Sequence, residues 1–255
     1  MTPINYHSYR SKKGYNSRIR FLVFHYTAAN FSSSVNALTG ASVSAHYLIP
    51  DISDPSYLNA GFTEQQIFNL VDENQRAWHA GVSSWGGRTN LNDTSIGVEI
   101  INLATDNLGQ FTFPPYQPMQ IEAIEHLALN ILKRYPDISP VNVVGHSDIA
   151  AGRKSDPGPM FPWQALYAKG IGAWFDESTQ RTYMQAYQGN GLPTREQQLG
   201  LFKKYGYDTS AATTDAGFQR LVRAFQLHFR PAKYDGVIDI ETAANLAALV
   251  KKYFP

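Results

Sequence analysis

The stretch VVGHSDIAAGRKSDPGPMFPW, residues 143–163, carries the clearest local grammar in this chain. Val141–Gly145 is short and valine-rich and reads as a buried strand. It runs directly into His146. A loop of Gly, Ser, Asp and Pro follows, bringing Lys154 and Asp156 before an Asp-Pro-Gly-Pro turn at 156–159. Taken alone, the turn and the lysine are ordinary: a chain reversal and a solvated charge.

Working outward, Arg20–His25 (RFLVFH) is another short, apolar, aromatic run that ends in a histidine. Ser44–Ile49 (SAHYLI), Gln66–Val71 (QIFNLV) and Ser95–Ile101 (SIGVEII) read as further strands, with Pro50–Gly61 as a loop. Pro118–Tyr135 reads as a helix: Ile121, Ile124, Ala128, Ile131, Leu132 and Tyr135 share one face. Lys133 and Arg134 occupy its last turn and Pro136 stops it. Strands and helices alternate irregularly. The expected fold class is therefore α/β in the α+β sense, with a mixed central β-sheet flanked by helices.

All four tryptophans lie before residue 175. Beyond it the pattern becomes simple and helical, so residues 1–175 are expected to form one domain, 176–193 a linker and 194–255 a small three-helix bundle. Thr194 to Gln197 spells a capping box after Pro193. Asp215 can cap a second helix with Phe218, Leu221, Val222, Phe225 and Phe229 as its stripe. Asp239 can cap a third, with Ile240, Ala244, Ala247 and Val250 on one side.

The 255 residues suffice for one large or two modest domains. With 43% hydrophobic and 17% charged residues, a disordered chain is excluded. Lys+Arg is 22 against Asp+Glu 21, a net charge of +1, which argues against a dedicated nucleic-acid binder. The absence of cysteine excludes disulfides, thiolate metal sites and a cysteine nucleophile. No apolar run reaches 18 residues, so no transmembrane segment is expected. Arg10, Lys12, Lys13, Arg18 and Arg20 precede only the short Phe21–Phe24 run, too short for the core of a signal peptide.

Three features could carry chemistry: His25 at a strand end, Glu99 inside a strand, and the 145–159 run. A strand-end histidine is commonly inert. Glu99 between Val98 and Ile100 either points to water or is buried at a cost. Two histidines and a carboxylate would complete a catalytic zinc set with a fourth position open for water. His46, His79, His126 and His228 compete as ligands, and spacing alone does not choose among them.

FLVFHYTA (21–28), SAHYLI (44–49), AWHAG (77–81), LNDTSIGVEI (91–100) and the 143–163 stretch occur in an order that resembles the zinc-dependent N-acetylmuramoyl-L-alanine amidases of the AmpD/AmiD type. That superfamily includes phage T7 lysozyme and the peptidoglycan recognition proteins. The last 60–70 residues resemble a three-helix peptidoglycan-binding domain, with AFQ (224–226) and YDGVIDIET (234–242) as the echo. Asp239 stands where such domains often have Gly.

The resemblance implies Zn2+ held by His25, His146 and Asp156. It implies Glu99 as the general base and Lys154 as the cation beside the oxyanion. Ala45 stands where the phage branch has a tyrosine, which puts more weight on Glu99. Trp78 and His79 are expected to line the substrate groove. The implied reaction is hydrolysis of the amide between N-acetylmuramic acid, or its 1,6-anhydro form, and L-alanine. The partners would be peptidoglycan and muropeptides, and the location the periplasm or cell envelope, with cytoplasmic residence or another export route left open. An oligomer is compatible with the sequence. Two other readings stand beside this one: a recognition protein that binds muropeptides without cutting, and a zinc peptidase cutting between stem amino acids.

Overall fold

The computed structural model describes residues 2–107 and 110–255. A five-stranded sheet in the order β3-β2-β6-β1-β9 forms its centre. Its strands are β1 (Phe21–Tyr26), β2 (Tyr47–Ile49), β3 (Phe68–Asn69), β6 (Ser95–Ile100) and β9 (Val143–Gly145). β2, β6, β1 and β9 run parallel, and β3 is antiparallel to β2. The mixed sheet is as expected. β2 and β3 are shorter than the apolar runs that contain them. Two small hairpins stand apart, β4 (Ser84–Trp85) with β5 (Arg88–Thr89) and β7 (Thr105–Asn107) with β8 (Gln110–Thr112).

Helices cover the sheet because each presents one apolar face. α3 (Pro118–Arg134) buries Ala123, Ile124, Leu127, Ala128 and Ile131. These join β1, β6 and β9 in the main hydrophobic core. α1 (Phe31–Leu38) and α2 (Pro55–Asn59) close a smaller core around Phe31, Leu48 and Tyr57. Leu48 and Ile49 fall in different cores, as the two-residue repeat of a strand requires. The loop expected at 50–61 thus holds a short helix, capped by the Asp54 side chain. α4 (His146–Ile149) and α5 (Trp163–Ala168) complete this part.

The stretch 176–193, expected as a linker, is mostly helix α6 (Glu177–Asn190). Three further helices follow: α7 (Arg195–Tyr205), α8 (Asp215–Phe229) and α9 (Ile240–Tyr253). The capping box at Thr194 and the cap at Asp239 form as expected, whereas Thr214, not Asp215, caps α8. α6 packs on α9, and Gln180 donates to Asn245 Oδ1 at 2.8 Å. No described helix is long and apolar enough to cross a membrane.

The bundle is welded to the sheet part. Trp85 packs edge-on against Tyr205 and Tyr207, and Gly86 N–H donates to Gly206 O at 2.8 Å. Asp148 of α4 is buried; it accepts from Tyr207 Oη at 2.6 Å and Gly145 N at 2.7 Å, and its Oδ2 lies 2.7 Å from His228 Nδ1. The His228 ring stacks on Trp163 at 3.7 Å between centroids. One continuous core spans both parts.

Candidate metal centre and active site

Three adjacent parallel strands, β6, β1 and β9, deliver polar residues at their C-terminal ends. His25 lies in register with Glu99 across β1 and β6, and His146 follows β9 at once. In open α/β sheets this crevice beyond the strand ends is where ligands collect. The 147–156 loop then returns: Ser147 N–H donates to Asp156 O at 2.8 Å, which sets the Asp156 carboxylate beside the histidines. Gly145 permits this, since a Cβ there would fall 2.6 Å from Pro157 Cδ.

Three atoms converge. His25 Nδ1 lies 3.0 Å from His146 Nδ1 and 2.9 Å from Asp156 Oδ2, and His146 Nδ1 lies 3.0 Å from the same oxygen. All three residues are buried and form a set able to hold a metal ion.

The surrounding hydrogen bonds say which nitrogens carry protons. The Ser95 hydroxyl donates to Leu91 O at 2.7 Å, so it can only accept from His79 Nε2–H, 3.0 Å away. His79 Nδ1 is then an acceptor, and His25 Nε2–H donates to it at 2.9 Å. His25 therefore aims a Nδ1 lone pair at the Asp156 oxygen. His146 Nε2 lies 3.0 Å from Ala80 O, an acceptor, and 3.2 Å from Arg153 Nη2, a donor, so either tautomer of this ring is satisfied. A lone pair and a carboxylate oxygen 2.9 Å apart repel unless a cation lies between them. Tetrahedral ligand atoms around zinc stand roughly 3.3 Å apart, close to this spacing. The donor set fits the metal that the sequence resemblance implies.

Burial, reinforced by His146, lowers the His25 pKa to about 4, so the ring is neutral and ligand-ready at ordinary pH. Burial works against the Asp156 carboxylate, but His146 and His25 outweigh it and hold the carboxyl well below its usual range. Glu99 is the reverse case. Burial, and then the charge of Asp156, push its pKa well up, with Lys154 opposing. Its Oε2 is buried with no hydrogen-bond partner among the described residues.

A cavity of about 550 Å³ opens over these groups, lined by Trp78, Glu99, Lys154 and Asp156 among others. Trp78 lines this cavity and stands half exposed. His79 borders the cavity, yet its ring is buried and both nitrogens are engaged behind His25. The other histidines stand away from the three ligand atoms. His46 accepts from Gly97 N and faces Gln75 O; His228 is buried against Trp163; His126 and His7 are exposed. Ser95 and Arg153 escaped the sequence reading. Arg153 braces Ala80 O and Val82 O at 2.9 and 2.7 Å. Neither leaves a spacing signal; the only hint was the closeness of AWHAG and LNDTSIGVEI in sequence.

A crevice able to hold a metal ion, at the mouth of a mixed sheet, suits a hydrolytic enzyme, and here the class has a name. The N-acetylmuramoyl-L-alanine amidase family matches residues 15–159, more than half the chain, and the chain belongs to that family. The amidase AmiD of Escherichia coli is 45% identical over 237 residues, 92% of this chain and 84% of its own length. The 1,6-anhydro-N-acetylmuramyl-L-alanine amidase AmpD of Enterobacter cloacae is 41% identical over 103 residues, 40% of this chain and 50% of that one. Among solved structures, AmpDh3 from Pseudomonas aeruginosa superposes with a TM-score of 0.97 at 59% identity, over 99% of both chains. It has also been solved in complex with an anhydromuramic pentapeptide. Escherichia coli AmiD, in complex with anhydro-N-acetylmuramic acid-L-Ala-D-gamma-Glu-L-Lys, matches with a TM-score of 0.84 at 44% identity, over 96% of this chain and 93% of that one.

Proposed function

We propose that His25, His146 and Asp156 hold zinc in this enzyme, and that Glu99 and Lys154 do the chemistry beside it. The chain is an N-acetylmuramoyl-L-alanine amidase, hydrolysing the amide between N-acetylmuramic acid, or its 1,6-anhydro form, and L-alanine. The observation that carries the zinc reading is the triangle of donor atoms 2.9–3.0 Å apart, with the His25 tautomer fixed from behind by His79. Zinc at such a site polarises a carbonyl and brings the pKa of water to about 7.

The chain's own groups supply the rest. Glu99 takes a proton from the attacking water and passes it to the departing alanine nitrogen. Burial raises the proton affinity of its carboxyl, which suits both steps. Lys154 places a positive charge where the carbonyl oxygen becomes negative; removing such a group costs about 10²–10³ in rate. Trp78 offers a flat apolar face to the sugar or peptide. The 194–255 helices supply further contact to peptidoglycan, and a wall substrate puts the work in the periplasm or envelope.

Mass spectrometry of digested muropeptides tests the reading. Release of stem peptides that begin with L-alanine supports it; shortened stems or no release overturn it. Glu99→Gln should keep zinc and lose about 10²–10⁴ in turnover. Full activity in that variant removes Glu99 from the mechanism.

A further inference from the structure

Beside the main cavity lies a second cleft of about 110 Å³, the size of a small polar group rather than a sugar. Arg153, Lys154, Ser155 and Asp106 line both spaces, so the two adjoin. The far wall of the cleft is α8 of the C-terminal bundle, which contributes Arg220 and Arg223. Four cations and one acid thus face a cleft in a chain whose net charge is only +1.

Both arginines are held in place without being neutralised. Among the described residues neither makes an ion pair, whereas Arg134, Arg195 and Arg230 are paired with Glu73, Asp215 and Asp239. The Arg220 stem lies against Gly152, where a Cβ would fall 2.7 Å from its Cδ. The Arg223 guanidinium sits 5.4 Å from the centroid of Phe111, which is itself stacked on Phe113. Such bracing lowers the entropy cost of holding an anion.

The substrate chemistry says which anion this is. In an N-acetylmuramoyl-L-alanine amide the lactyl carboxyl is consumed, so the negative charge lies on the peptide. The peptide bound by Escherichia coli AmiD contains D-gamma-Glu, whose γ-linkage leaves its α-carboxylate free. We propose that Arg220 and Arg223 form a carboxylate subsite for the departing stem peptide, making the C-terminal bundle a wall of the active site. The proposal rests on the amidase reading above. Guanidinium groups are suited to it because they grip carboxylates in paired hydrogen bonds.

The test uses the zinc-loaded full chain and three muramoyl tripeptides: the free acid MurNAc-L-Ala-γ-D-Glu-L-Lys, its isoglutamine form, and its C-terminal amide. kcat/KM and calorimetric Kd are measured for wild type, R220Q, R223Q, the double variant and R223K. Wild type should favour the free acid about tenfold over one amidated form, and the double variant should erase that preference by lowering kcat/KM on the free acid far more than on that amidated form. R223K should retain part of it. Loss of preference with isoglutamine assigns the α-carboxylate; loss with the C-terminal amide assigns the peptide end. Both support the subsite. A double variant that keeps the preference, or that weakens all three substrates equally, overturns it. A wild type that cuts none of the three overturns the amidase reading instead, and the Kd comparison still decides the arginines.

Discussion

His25 and Glu99 are partners in register on neighbouring strands, yet the protein drives their proton affinities in opposite directions. The signs set the pH behaviour of the metal-free protein. A histidine depressed from 6.5 to about 4 binds its proton more readily when unfolded. Its contribution is full above about pH 6.5 and is lost as pH falls toward 4, on the order of 3 kcal/mol. Glu99, raised instead, stabilises the fold only while protonated, and that contribution disappears as pH rises. Urea midpoints of chelated protein should therefore fall between pH 6.5 and 4, and less steeply in His25→Ala. An identical slope in the two would show that His25 is not neutral in the fold. Glu99→Gln should raise the melting temperature more at alkaline than at acid pH, because it abolishes the cost of ionising a desolvated carboxyl.

At the scale of single elements, β6 does more than carry Glu99. Ser95 anchors the relay behind His25, and Gly97 lets that relay lie flat on the strand: a Cβ at 97 would overlap the His79 ring. Gly97→Ala should lower zinc affinity about 10–100-fold in chelator competition, as loss of a ligand's supporting partner does, and His79→Ala should match it. Unchanged affinity in both would mean the relay does not orient His25. This is also where the sequence stopped speaking. β1, β6, α3 and the stripe of α8 were legible because apolar spacing forces them. α1 was missed although Phe31, Val35 and Leu38 fall at helical spacing, because three serines dilute a run of only eight residues. α6 was missed because it buries no residue fully and so shows no clean stripe. The convergence of His25, His146 and Asp156 was readable through family resemblance, but spacing left four other histidines, His46, His79, His126 and His228, in contention. The buried tautomer network left no trace in composition or period.

For the whole molecule, the inter-part packing decides how the chain unfolds. Asp148 sits in the same short helix as His146 and is satisfied from the bundle by Tyr207 and His228. Removing 176–255 would strip those partners and uncover Trp85 and Trp163, so the truncated chain should fail to fold rather than act on small substrates. Intact protein should melt in one calorimetric transition. Asp148→Ala should cost about 3–5 kcal/mol, by losing a buried charged group's network. Two separable transitions, or a truncated chain with full activity, would refute this coupling. The same weld restricts engineering by domain exchange. A chimera that borrows its last helices from another amidase inherits foreign partners for Asp148 and Trp85, so a functional swap has to move both sides of the seam together, and directed recombination should place crossovers outside it.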